Sequence, residues 1–162
     1  RRLRGFGCRV LALEPSPDEN FCAEYGVELT DLAEMLPRVD VLTLHAPANE
    51  TSRGLIGAAE LQALPSHAVL INTARGDLVD QAVLAQALQD GEIAGAGLDV
   101  FEHEPVPPDD PILQAPNTIV SGHISSYTEL GLERTKQALI ANVQAAVSGR
   151  LPNTCLNPEA WR

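Results

Sequence analysis

Cysteine is scarce in this chain of 162 residues: Cys8, Cys22 and Cys155 stand far apart, and none belongs to a C-x-x-C pair. That spacing excludes a disulfide framework and a zinc site, and it fits free thiols in a reducing cytoplasm. Long apolar runs are missing too. Although 44% of the residues are apolar, no run approaches the roughly 18 residues that a membrane span needs. Basic residues number 11 against 22 acidic ones, for a formal net charge of -11. Such a balance argues against nucleic acid as a partner and reads as a solvated acidic surface. There is no internal repeat, no low-complexity linker and no signal-peptide pattern. The opening Arg1-Arg2-Leu3-Arg4-Gly5 reads as the tail of a helix, so the natural protein is expected to begin earlier.

What is present alternates strand and helix, at a length that supports one domain with a real core. Apolar runs at Cys8–Leu13, Val27–Leu29, Val39–Leu44, Ala68–Asn72, Ala94–Phe101 and Asn117–Val120 read as strands. Helices are expected over Asp18–Tyr25, from Thr30 or Asp31 through Leu36, over Thr51–Leu64 with an internal Gly57, over Val79–Asp90, and over Glu129–Ser148. Strands apolar on both faces and separated by helices imply an α/β fold, with a parallel sheet covered on both sides.

Three successive strand ends carry chemistry. Ile71-Asn72-Thr73-Ala74 runs into Arg75 and Gly76, which puts a guanidinium where open α/β sheets hold their ligands. Arginine there suits bidentate recognition of a carboxylate or phosphate. The next strand ends at Asp99 and leads to Glu102-His103-Glu104-Pro105, and the last leads to Ser121-Gly122-His123. A lone histidine is more often structural than catalytic. Beside a carboxylate such as Glu104 it becomes a proton donor to a carbonyl oxygen. His45 ends a strand in a loop, His67 reads as surface and His103 as solvated. Asp99, buried at its strand end, either caps the adjacent loop or meets the nicotinamide end of a cofactor.

Glu14 also follows a strand. Read alone it is an exposed acid in a turn; in a dinucleotide-binding fold it would take the adenosine ribose hydroxyls. The G-x-G-x-x-G fingerprint belongs about twenty residues before that acid, and no such pattern occurs between Arg1 and Glu14. Gly5 and Gly7 precede the second strand of such a fold rather than following its first. No basic residue follows Glu14 in its turn, so a 2'-phosphate would be repelled, which favours NAD over NADP.

Taken in order, several phrases resemble the D-isomer-specific 2-hydroxyacid dehydrogenases: Leu44-His45-Ala46-Pro47 with Thr51, Leu70-Ile71-Asn72-Thr73-Ala74-Arg75-Gly76, Gly97-Leu98-Asp99-Val100-Phe101 with Glu104-Pro105, His123, and Asn157-Pro158. They span nearly the whole chain. The resemblance implies a Rossmann-type doubly wound parallel sheet truncated at its N-terminus, with the first strand and glycine loop missing. Residues 1–148 would be the incomplete NAD-binding domain, and residues 149–162 a tail returning toward an absent substrate domain. It also implies hydride transfer between NAD(H) and a small 2-hydroxy or 2-oxo acid, by a cytoplasmic protein that is a homodimer when complete and an isolated fragment that is inactive. Arg75 would bind the substrate carboxylate and polarise the carbonyl, His123 would be the acid/base, and Glu104 its partner. Glu14, His45, Ala46, Pro47, Thr51, Thr73, Ala74, Arg75, Asp99, His123, Ser125 and Ser126 would line the cofactor.

One departure is visible. The family has Thr-Pro-His at the catalytic histidine where this chain has Ser121-Gly122-His123, so a rigid proline beside the base is replaced by glycine. A rival from another class is an NAD-sensing binding protein similar to the C-terminal-binding-protein corepressors. The formate dehydrogenase branch carries glutamine where Glu104 stands, which argues against that reading.

Overall fold

Short apolar runs punctuated by turn residues form six strands among the described residues, 1–161 of a computed structural model, and every pairing is parallel. They do not make one sheet. Strand β1 (Val10–Ala12) pairs only with β2 (Val27–Leu29). A separate four-stranded sheet runs β3 (Val41–Leu44), β4 (Val69–Asn72), β5 (Gly95–Leu98), β6 (Thr118–Val120) in that order. In the 3-2-1-4-5-6 order of a doubly wound sheet, the first strand lies between the second and the fourth. Those two positions are held here by β1 and β3, and between them the hydrogen bonding stops.

Among the described residues, five α-helices connect or follow the strands: α1 (Glu19–Tyr25), α2 (Leu32–Met35), α3 (Ala58–Ala63), α4 (Gln81–Gln89) and α5 (Glu129–Val147). Four carry side-chain caps. Asp18 accepts from the Phe21 N–H at 2.9 Å, Asp31 from Glu34 at 2.8 Å, Asp80 from Val83 at 3.1 Å, and Thr128 from Gly131 at 3.0 Å. Each such cap stabilises its helix by about 1 kcal/mol. The core gathers Leu42 and Leu44 of β3, Leu70 of β4, Ala96 and Leu98 of β5, Leu84 and Leu88 of α4, and the fully buried Ile56, Leu61 and Ile112.

Three expectations are corrected. The stretch Thr51–Leu64 is not one helix. Asn49 Oδ1 accepts the N–H groups of Thr51 and Ser52, Gly54 turns left-handed at φ 62°, and Ile56 forms a parallel bridge with Val79. Only then does α3 start, with Gly57 at its N-terminal cap and Glu60 Oε2 accepting from the Gly57 N–H at 3.0 Å. The same bridge draws Val79 out of the next helix, so α4 begins at Gln81. The sheet is also not covered evenly on both faces. Along β3, Leu42 and Leu44 are buried while Val41 and Thr43 are exposed.

The chain divides into two compact units, the first ending at Gly122 and the second starting at His123. The second is built on α5, whose Leu139, Ile140 and Val143 are exposed; Asn142 Nδ2 donates to Thr154 Oγ1 at 2.7 Å and ties the tail back to this helix.

Bare inner edges on β1 and β3 are templates for unwanted pairing. The isolated 162-residue chain is therefore expected to be poorly soluble, or to lose its structure over a broad temperature range. Calorimetry on the purified chain is the check, and a sharp cooperative melt of a soluble monomer would show that no further strand is needed.

Candidate cofactor and active site

Parallel pairing puts the carboxyl ends of β3 to β6 along one edge of their sheet, the edge at which open α/β sheets bind ligands. His45 follows β3, Arg75 follows β4, Asp99 follows β5, and Ser121 follows β6. Glu14 follows β1 in the smaller sheet.

The turn after β4 is shaped by Asn72, only 1% exposed. Its Oδ1 accepts the Ala74 N–H at 3.1 Å, and its Nδ2 donates to the Arg75 carbonyl at 2.8 Å. One buried amide thus fixes the backbone of Thr73, Ala74 and Arg75, and leaves the Thr73 and Arg75 side chains exposed. The Arg75 guanidinium donates from Nη1 to the Ala74 carbonyl at 2.6 Å. Gly76 comes next because nothing larger fits. A Cβ there would lie 2.0 Å from the Phe101 carbonyl carbon and oxygen and 2.5 Å from the Glu102 nitrogen. The loop that carries Arg75 is therefore pressed against the loop that carries Glu104. Glu104 Oε1 in turn accepts the Phe101 N–H at 3.0 Å.

Asp99 is 2% exposed. Its Oδ1 accepts from Ser121 Oγ at 2.6 Å, and its N–H donates to the Asn72 carbonyl at 2.9 Å. Through its carboxylate and its backbone N–H, Asp99 thus links the ends of β4, β5 and β6. On the β3 side, His45 Nε2 lies 3.1 Å from Thr43 Oγ1 and is exposed. The loop beyond it closes on itself. Ser52 Oγ donates to the Pro47 carbonyl at 2.5 Å, and Thr51 Oγ1 donates to Asn49 Oδ1 at 2.8 Å. Ala46 packs on the core while Pro47 stays exposed. An Arg53–Asp77 ion pair and the Gly54 N–H to Asp77 carbonyl bond (2.7 Å) fasten this loop to the Arg75 turn. Glu14 is exposed, and its Oε1 accepts the Ser16 N–H at 3.0 Å.

His123 opens the second unit with φ 56°, a left-handed backbone that few non-glycine residues adopt, histidine among the more tolerant. Ser125 and Ser126 follow it, both exposed, and the Ser126 carbonyl accepts from the Thr128 N–H at 2.9 Å just before α5.

The family model for the D-isomer specific 2-hydroxyacid dehydrogenase NAD binding domain matches residues 1–125. The chain belongs to this family. Among relatives, the glyoxylate reductase of Korarchaeum cryptofilum is 40% identical over 159 residues, covering 98% of this chain and 48% of that protein. The solved NADPH-dependent glyoxylate/hydroxypyruvate reductase of Sinorhizobium meliloti, in complex with NADP and malonate, superposes with a TM-score of 0.88 at 34% identity, over 100% of this chain and 50% of that one. A D-isomer specific 2-hydroxyacid dehydrogenase from Lactobacillus delbrueckii in its NAD complex gives a TM-score of 0.83 at 31% identity, over 94% and 50%. The chain spans about half the length of the curated relatives it matches. As a 2-hydroxyacid dehydrogenase domain, it has the Rossmann-type fold that the sequence implies.

The chain carries the family's NAD-binding domain. The donor set suits a dinucleotide: an exposed carboxylate after β1 for hydroxyls, a shaped backbone turn after β4, and a buried carboxylate after β5. Sequence reasoning did not single out Asn72, Gly76 or Ser121 for these jobs. An amide ending a buried strand just before a turn is a signal that could have found Asn72.

Proposed function

We propose that this chain is the cofactor half of an oxidoreductase that interconverts small 2-oxo acids and D-2-hydroxy acids with NAD(H). The observation that carries the proposal is the seating of Arg75 and Glu104 on two adjoining strand-end loops. They are set by the Asn72 amide and by the close approach of Gly76 to Phe101. Arg75 binds the substrate carboxylate through its planar guanidinium and draws electron density from the carbonyl. His123 gives a proton to the carbonyl oxygen in reduction and takes it from the hydroxyl in oxidation. Glu104 supports the protonated imidazole. Glu14 holds the adenosine ribose. His45, Ala46, Pro47, Thr51, Thr73, Ala74, Asp99, Ser125 and Ser126 line the cofactor, which when bound supplies or accepts the hydride. Glyoxylate and hydroxypyruvate, named for the relatives, are the substrates to try first. The reading carries with it a cytoplasmic homodimer whose ligands are small acids rather than nucleic acid or membrane.

Cofactor choice follows from Glu14. A 2'-phosphate beside that carboxylate meets like charge with no basic residue following in the turn. In the complete protein, NADH is expected to bind at least about tenfold more tightly than NADPH, a difference of about 1.4 kcal/mol. Glu14→Gln should narrow the gap. Fluorescence titration of both cofactors measures it. Equal affinities would remove Glu14 from this role. A complete protein that turns over neither glyoxylate nor hydroxypyruvate with either cofactor would end the proposal.

A further inference from the structure

Arg75 and Glu104 sit on different loops, and neither loop is regular secondary structure at those residues. Close packing at Gly76 explains why the loops touch. It does not explain what keeps the Glu104 loop from sliding along the Arg75 loop, because a glycine contact has no direction. Beyond the Asp99 N–H to Asn72 carbonyl bond at the strand ends, the Glu104 loop is tied to α4 by directional bonds from Gln81, the first residue of α4, which is 9% exposed.

Gln81 makes three hydrogen bonds outside its helix. Its backbone N–H donates to Glu102 Oε1 at 3.1 Å, and its Oε1 accepts the Glu102 N–H at 3.2 Å. Its Nε2 donates to Asp110 Oδ2 at 2.8 Å. The first two bonds form a reciprocal pair between α4 and the residue following Phe101. The third ties the same side chain to the far end of the proline-rich loop, where Asp110 Oδ1 also caps a short helical turn by accepting the Ile112 N–H at 3.0 Å. Gln81 lines one small hollow with Asn72, Gly76, Leu98 and Val100. Both polar residues that shape the strand-end loops, Asn72 and Gln81, therefore border the same space.

The chemistry of the side chain suits this job. A carboxamide offers an acceptor and donors on one planar group. Here the acceptor meets a backbone N–H and the donor meets a carboxylate, 21 and 29 residues away in sequence. A leucine of similar size would leave the Glu102 N–H and the Asp110 carboxylate without this partner. A glutamate would face Asp110 with like charge.

We infer that Gln81 is a positioning residue for the proposed reaction: it fixes the Glu104 loop in register with the Arg75 turn and touches neither substrate nor cofactor. The inference rests on the reading above. A displacement of about 1 Å between catalytic groups can cost 10²-fold in rate, so a side chain that sets this register acts on kcat.

The test is made in the complete protein with glyoxylate or hydroxypyruvate as substrate. Gln81→Leu and Gln81→Glu are each expected to lower kcat by on the order of 10- to 100-fold, with the Kd for NADH within about twofold of wild type. The double variant Gln81→Glu/Asp110→Asn swaps donor and acceptor across the same contact and is expected to recover most of the lost kcat. That rescue keeps the test decisive if Gln81→Leu fails to fold. Single variants with wild-type kcat, or a swap that restores melting temperature without restoring kcat, would overturn the positioning role and leave the proposed reaction intact. A wild-type protein that reduces neither substrate with either cofactor would overturn the reaction itself, and the role of Gln81 with it.

Discussion

Replacing His123 with asparagine in the complete protein lowers kcat for 2-oxo acid reduction by about 10²- to 10⁴-fold, the range for a lost general acid. Asparagine is the replacement of choice because His123 holds φ 56°. Asparagine tolerates that left-handed backbone better than alanine does, so the loss reports on chemistry rather than on a strained loop. Glu104→Gln should do less harm, because the imidazole itself stays in place. If the two residues act as one unit, the double variant is little worse than His123→Asn alone, since coupled residues are not additive. The measurement is kcat/KM for wild type, both single variants and the double variant. Strictly additive losses would make Glu104 a loop residue, held to the Phe101 N–H at 3.0 Å for structural reasons.

Arg75→Ala is the second large effect. A substrate carboxylate that loses a desolvated bidentate partner costs about 3 kcal/mol, or roughly 10²-fold in kcat/KM. The loss should divide between a raised KM and a lowered kcat, because the guanidinium is proposed both to bind the carboxylate and to polarise the carbonyl. Arg75→Lys should keep the charge and recover only part of the activity, since an ammonium cannot make the paired contact. The Kd for NADH should stay within about twofold, as the Asn72 amide bonds the Arg75 backbone carbonyl rather than its side chain. Steady-state kinetics and cofactor titration settle the division. Unchanged KM and kcat would mean that the guanidinium faces elsewhere.

Much of this could be read from local sequence. A strand that runs into arginine and glycine, and another that ends in a buried aspartate, are patterns of a few residues, and both are found where expected. The caps at Asp18, Asp31 and Thr128 are local for the same reason: donor and acceptor are three residues apart. What escaped was non-local. Ile56 has helical periodicity around it, yet it pairs with Val79 from another segment, and the expected helix shrinks to Ala58–Ala63. Gly76 looks like the start of a helix; it is glycine because the Phe101 carbonyl comes against it. Gln81 looks like one more good helix former, and nothing near it in sequence announces Glu102 or Asp110. The burial of β3 on one face only was equally illegible, because composition shows that a strand is apolar but not which neighbours cover it.

The break between β1 and β3 also bears on the order in which the domain assembles. Strands β3 to β6 stand in the sheet in their order along the chain, so each pairing closes a loop of fewer than 30 residues, as from Val41 to Val69, Val69 to Gly95 and Ala96 to Thr118. Short closures cost little entropy and form fast. The pair β1–β2 forms by a similarly short closure, from Val10 to Val27. Each of the two sheets thus closes through its own short loops, and no strand pairing in one waits on the other.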